Sequence, residues 1–216
     1  MSCSHHLASF PQLTDLEFEE ACGAILKQFE LQAHRQDEWT AVENVLQSET
    51  TVLRITKPLG TRPDVSNISD DTDDIEVEEE DDEIAESATP VGAVIQYDVV
   101  LSVSYRVPVL YFTISDSQHR YPPTMETLYS HIIPPSFRAQ TESVGVIGGI
   151  TVTDHPATNQ PAFFIHPCRT AELMHASVGG RDITAYDYLL IWMGALGQCV
   201  GLKVPLSLVN LDQRHG

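Results

Sequence analysis

Ile95-Gln96-Tyr97-Asp98-Val99-Val100-Leu101-Ser102-Val103-Ser104-Tyr105 alternates with the two-residue period of a β-strand. Ile95, Tyr97, Val99, Leu101, Val103 and Tyr105 fall on one face, and Gln96, Asp98, Val100, Ser102 and Ser104 on the other. The pattern predicts a half-buried antiparallel strand with its odd-numbered face on the core. The next run, Val107-Pro108-Val109-Leu110-Tyr111-Phe112-Thr113-Ile114, is nearly all apolar and reads as a central strand. Pro108 cannot donate to a ladder, so it marks a bulge or the strand's first residue. Only Arg106 separates the two runs, which requires a bend or bulge between them.

Toward the C-terminus, Pro122-Pro123 opens a short helical stretch over residues 124–133, closed by Pro134-Pro135. Residues 144–153 read as a β run interrupted by glycines. Asp154-His155-Pro156 then turns into a polar loop, and Ala162-Phe163-Phe164-Ile165-His166 reads as a buried strand. A helix from about Thr170, a Gly179-Gly180 break, a helix over residues 184–198 and an apolar, extended tail over 204–211 follow. Toward the N-terminus, residues 50–57 read as a strand ended by Pro58 and Gly60. Thr14-Asp15-Leu16-Glu17 is a capping box that opens a helix to about Arg35, with Phe18, Cys22, Ile25 and Phe29 on its apolar stripe. The order of helix, strands and then helices predicts an α+β fold, an antiparallel sheet backed on one side by helices. A chain of 216 residues fits one domain spanning 1–216.

The net charge of -19 comes mostly from one segment. Residues 64–86 hold thirteen of the 31 acids and no base; without them 18 acids face 12 bases. Such a run repels itself and has little to bury, so residues 60–92 read as an acidic, disordered insertion within the domain. The alternative is a docking strip for a basic partner surface. No basic patch exists to meet phosphates, which argues against nucleic-acid binding. The four cysteines, Cys3, Cys22, Cys168 and Cys199, contain no C-x-x-C pair, which favours a reducing compartment over a disulfide scaffold. The first ten residues lack a basic region followed by an apolar core, so no signal peptide is expected. The longest apolar stretch, residues 188–202, is too short and too interrupted to span a bilayer. A cytoplasmic protein without stable membrane insertion is the expectation.

The chemistry concentrates at His166-Pro167-Cys168. A strand fixes the cysteine, and the proline ends the strand and turns the chain. With Thr170 as N-cap and Glu172 in the first helical turn, Cys168 is expected near the positive end of a helix dipole and beside Arg169. Both would favour thiolate over thiol. Cys22 and Cys199 lie on apolar helical stripes and read as small buried hydrophobes.

Four segments occur together in order. They are Tyr105-Arg106-Val107-Pro108-Val109-Leu110-Tyr111-Phe112, then Asp154-His155-Pro156, then Phe163-Phe164-Ile165-His166-Pro167-Cys168-Arg169-Thr170. The last is Trp192 onward, with Val200-Gly201-Leu202-Lys203-Val204-Pro205-Leu206. Together they resemble the autophagy-related protein ten family, E2-like enzymes that join a ubiquitin-like modifier, autophagy protein twelve, to a lysine of autophagy protein five. The resemblance covers residues 95–210 and leaves the acidic insertion without a counterpart. It implies the fold of ubiquitin-conjugating enzymes: a curved antiparallel sheet with an N-terminal helix and helices after the catalytic cysteine. It implies that Cys168 takes the modifier's terminal glycine as a thioester from an E1-like activating enzyme and yields it to an acceptor lysine. No cofactor is implied. It also implies that His166 steadies the oxyanion formed when the amine attacks, unless its ring merely pins the strand end. Tyr105 corresponds to a tyrosine supporting the site, unless it is only a core aromatic continuing its strand's buried face.

Two other readings keep the fold. The His-Pro-Cys element also occurs in the sister E2-like enzyme that conjugates a modifier to phosphatidylethanolamine, and an E2-fold adaptor would hold partners without chemistry. Against the sister stand Pro205-Leu206-Ser207 and a first helix whose Phe18, Ile25 and Phe29 sit among Glu17, Glu19 and Glu20, a poor match to an anionic membrane. Zinc is not expected: His155, His166, Cys168 and His175 match no standard ligand spacing. Position 174 is Met where phosphatase chemistry would want an arginine, and no histidine stands where a papain-type cysteine needs one. The sheet edge near residues 148–156 is the expected acceptor contact, because an unpaired strand recruits another.

Overall fold

The computed structural model describes residues 7–47, 50–60, 92–142 and 149–209. It contains a six-stranded antiparallel sheet in the order β1-β2-β3-β4-β6-β5. The strands are β1 (Ala41–Gln47), β2 (Thr50–Pro58), β3 (Val94–Leu101), β4 (Pro108–Ser115), β5 (Ile150–Asp154) and β6 (Pro161–Ile165). Helix α1 (Asp15–Gln32) precedes the sheet. α2 (Met125–Thr127), which runs into a π-helical turn over Leu128–Ile132, and α3 (Pro135–Glu142) lie between β4 and β5. α4 (Thr170–Val178) and α5 (Ala185–Leu196) follow β6. The α+β expectation holds.

Capping chemistry sets the helix starts. Thr14 and Glu17 form the expected reciprocal box at α1, and Thr184 with Asp187 forms another at α5. Phe18, Cys22 and Ile25 are buried as the stripe requires, and α1 packs on α5. Trp192 of α5, Tyr97 of β3 and Tyr188 of α5 are fully buried. Each contributes roughly 1.5–3 kcal/mol by burial, the scale of a large apolar side chain. The two tyrosines keep their hydroxyls bonded: Tyr97 donates to the Val200 carbonyl and Tyr188 to the Pro11 carbonyl, each at 2.7 Å. Gly179 closes α4 at φ 61, the left-handed cap that glycine adopts at least cost.

Several expectations need correction. The 95–105 strand ends at Leu101. Ser102 donates its N–H to the Val107 carbonyl and Arg106 donates to the Ser102 carbonyl, so residues 102–107 form the turn into β4. Pro108 is the first residue of β4 and pairs with Leu101. Val103 is 86% exposed and Tyr105 47%, so the buried face does not reach them. Nor is β3 half-buried throughout: Asp98 and Val100 of the even-numbered face are buried too. The loop after β5 folds back over that face, with Ala157 packed against Val52 and Val100.

β1 was not anticipated, because Glu43 and Asn44 break its alternation and as an edge strand it buries only Val42 fully. Pro134-Pro135, expected as a stop, also opens a helix, α3. Proline also starts helices, since the first turn does not need its N–H, and α3 begins at Pro135. The tail holds a 3-10 turn over Leu206–Leu208 rather than an extended run. Residues 61–91 of the acidic insertion, residues 144–148 of the expected glycine-interrupted strand and the tail from residue 210 lie outside the described residues.

Two ends of the sheet differ in role. The 102–107 turn lies at the Leu101 end of β3. At the other end Pro58 pairs with Val94, and Leu59 donates to the Ala93 carbonyl at 2.8 Å.

Candidate active site

β6 carries Phe163 and Ile165 into the core and hands the chain to His166. Pro167 then starts a 3-10 turn, Pro167–Arg169, that runs directly into α4. The Nδ1 of His166 accepts the Cys168 backbone N–H at 3.1 Å, so His166 caps this turn. Thr170, expected as N-cap, is already helical and buried at 3% exposure; the cap falls one turn earlier. Cys168 is exposed. Arg169 Nε donates to Glu172 at 3.4 Å.

An acceptor nitrogen at Nδ1 fixes the tautomer of the neutral His166 ring, with its proton on Nε2. The ring stands edge-on to two others: Tyr105 at 5.7 Å between centroids and Phe164 at 5.9 Å. The structure therefore brings Cys168, His166 and Tyr105 together. The pinning role of His166 is real, since its ring is bonded to backbone. The core-aromatic reading of Tyr105 is not, since the ring is half exposed on a turn.

The other candidates lie elsewhere. His155 Nδ1 accepts the Ala157 N–H at 3.1 Å, and its Nε2 lies 3.2 Å from Asp98 Oδ2. Arg54 meets the same carboxylate with two bonds of 2.8 Å. Burial opposes the Asp98 charge, but the two bonds from Arg54, with the His155 ring close by, outweigh it and hold the carboxyl below its ordinary value of 3.8. Sequence reasoning missed this buried cluster. Its signal was an aspartate inside an apolar strand, which needs partners if its face is covered. The His175 ring meets Phe10, at 5.0 Å. Among the described residues no three of His, Cys, Asp or Glu gather as a metal set. Burial pushes the Cys22 and Cys199 thiols up to about 12, so both are inert thiols at neutral pH.

Comparison with known proteins identifies the family. The family described as autophagocytosis associated protein, active-site domain, matches residues 17–207. A ubiquitin-like-conjugating enzyme ATG10 of Gibberella zeae is 29% identical over 94% of this chain and 98% of its own length. That of Arabidopsis thaliana is 32% identical over 68% of each chain. A solved autophagic E2, Atg10, covers 86% of this chain and 97% of its own at 15% identity and a TM-score of 0.40, too distant to bear on any residue. With an exposed cysteine at the end of β6, a family match over most of its length and relatives of one name, the chain belongs to the ATG10 family of ubiquitin-like-conjugating enzymes, the E2-like enzymes of autophagy.

Proposed function

We propose that Cys168 is the atom on which the modifier rides. Its thiolate attacks the carbonyl carbon of the thioester on an E1-like activating enzyme, whose cysteine leaves as thiolate. The lysine amine of an acceptor protein then attacks the new thioester. Cys168 leaves, the amine's proton passes to water, and an isopeptide bond remains. ATP is consumed by the activating enzyme. By family resemblance the modifier is autophagy protein twelve and the acceptor autophagy protein five, in the cytoplasm; among the described residues no helix is long and apolar enough to cross a membrane.

The observation that carries the reading is the exposure of this thiol beside a ring whose Nε2–H is left to donate. A donor so placed lowers the barrier to amine attack by about 3 kcal/mol, the scale of one oxyanion-hole group. Tyr105, half exposed beside that ring, shields the incoming lysine from water and so favours the neutral amine. The acceptor is taken up along β5, one of the two edge strands of the sheet among the described residues, where Thr151, Val152 and Thr153 are exposed. Proline at Thr151 and Thr153 should weaken acceptor binding and spare the thioester; equal loss of both would mean misfolding.

The main test mixes the protein with activating enzyme, ATP and either autophagy protein twelve or the lipid-conjugated modifier. A reductant-sensitive adduct with the first, converted to a reductant-resistant one by Cys168→Ser, is expected. An adduct surviving Cys168→Ala sinks the assignment. Binding without any adduct would make the protein an adaptor, and transfer to phosphatidylethanolamine in vesicles would make it the sister enzyme. His166→Ala should load normally and discharge to lysine about 100-fold more slowly.

A further inference from the structure

Arg106 adopts φ 55, the left-handed region that glycine or asparagine enters readily and arginine does not. Two residues far away in sequence hold it there. Its carbonyl accepts the N–H of buried Leu13 at 2.7 Å. Its guanidinium grips Asp15, the first residue of α1, with Nη1 to Oδ1 at 3.0 Å and Nη2 to Oδ2 at 3.1 Å. Inside the turn, Arg106 N–H donates to the Ser102 carbonyl at 2.8 Å, and Tyr105 N–H to Ser102 Oγ at 3.2 Å. A strained residue persists where its surroundings over-determine it, and such residues gather where geometry matters to function. The residue next to this one is Tyr105, whose ring lies against His166.

We infer that Asp15 and Arg106 are positioning residues, a clamp from the start of α1 that sets the 102–107 turn and so fixes Tyr105 over His166. The inference rests on the reading of Cys168 and Tyr105 given above. The Asp15 side chain is 77% exposed, and exposed ion pairs add little to folding. A paired, forked contact restricts direction, however, and a misplacement of the order of an ångström near a reacting centre slows reaction strongly.

The test uses the full chain with activating enzyme, modifier and ATP, scoring loading of Cys168 and discharge to free lysine separately. Asp15→Ala should melt and load like the wild type and discharge about tenfold more slowly. Arg106→Gly removes the left-handed strain and the clamp together, so it should be no less stable yet share the discharge defect. The reversed pair, Asp15→Arg with Arg106→Asp, should recover discharge. On a Tyr105→Ala background Asp15→Ala should add nothing. In NMR spectra the His166 ring protons should move in each clamp variant toward their positions in Tyr105→Ala. Wild-type discharge by Asp15→Ala, additivity with Tyr105→Ala, normal discharge by Tyr105→Ala itself, or unmoved His166 signals would overturn the clamp. If the wild type forms no adduct on Cys168, the catalytic reading falls, and the His166 signals alone decide whether the clamp exists.

Discussion

Three cysteines described in this structure occupy two chemical worlds. Cys22 and Cys199 are buried with thiols pushed up to about 12, and Cys168 faces water. Brief iodoacetamide treatment of the folded protein at neutral pH should label the Cys168 peptide and leave those of Cys22 and Cys199 unmodified, as read by mass spectrometry; equal labelling of the three would contradict the burial. A second residue-level consequence concerns Asp98. Its carboxyl is depressed in the folded state, so its contribution is fully present above the ordinary value of 3.8 and is lost as pH falls through the lower folded value. Wild type should therefore exceed Asp98→Asn in denaturation midpoint at neutral pH, and the gap should close below about pH 4. A gap that is constant across this range would mean that the charge of Asp98 does not stabilise the fold.

Elements show where side-chain pattern sufficed and where it failed. The capping box at Thr14 and the His166-Pro167-Cys168 strand end were legible because each is set by residues adjacent in sequence. The buried even-numbered face of β3 and the Arg54–Asp98–His155 cluster were not, because each depends on partners far away in sequence, above all the loop after β5; β1 was not because Glu43 and Asn44 break its own alternation, although its partner β2 follows it directly in the chain. The end of α5 gives a further test. A Cβ added at Gly197 would lie 2.7 Å from the Leu202 carbonyl oxygen and 3.0 Å from Leu202 Cβ. Backbone there cannot yield cheaply, since Leu202 N–H is bonded to the Gly197 carbonyl at 2.8 Å. Gly197→Ala should cost about 1–3 kcal/mol by chemical denaturation, although alanine is the better helix former. Unchanged stability would mean that this approach relaxes freely.

For the whole molecule, the described residues on either side of the acidic stretch and the reactive thiol belong to opposite ends of one sheet. Leu59 and Ala93 are already hydrogen-bonded partners, flanked inward by Gly60 and Gly92. Deleting residues 61–91 would fuse those glycines into a two-residue Gly-Gly hairpin between β2 and β3, a turn such strands accept. The shortened protein should keep its melting temperature and its rate of thioester formation. Partner affinity and its salt dependence should then decide between a bystander and a docking strip: no change in either leaves only the bystander. Loss of folding would mean that the stretch belongs to the domain's structure.

The pairing of Pro58 with Val94 has a wider implication. A closed stem makes the chain beyond it thermodynamically inexpensive to lengthen, since each doubling of a flexible loop costs only about 0.6 kcal/mol. An eight-residue strand spans about 25 Å, and that length separates the stem from the Tyr105 turn. The stem is thus a natural port for grafts: a reporter or affinity handle seated there would ride with the enzyme while leaving the approach to the sulfur unobstructed.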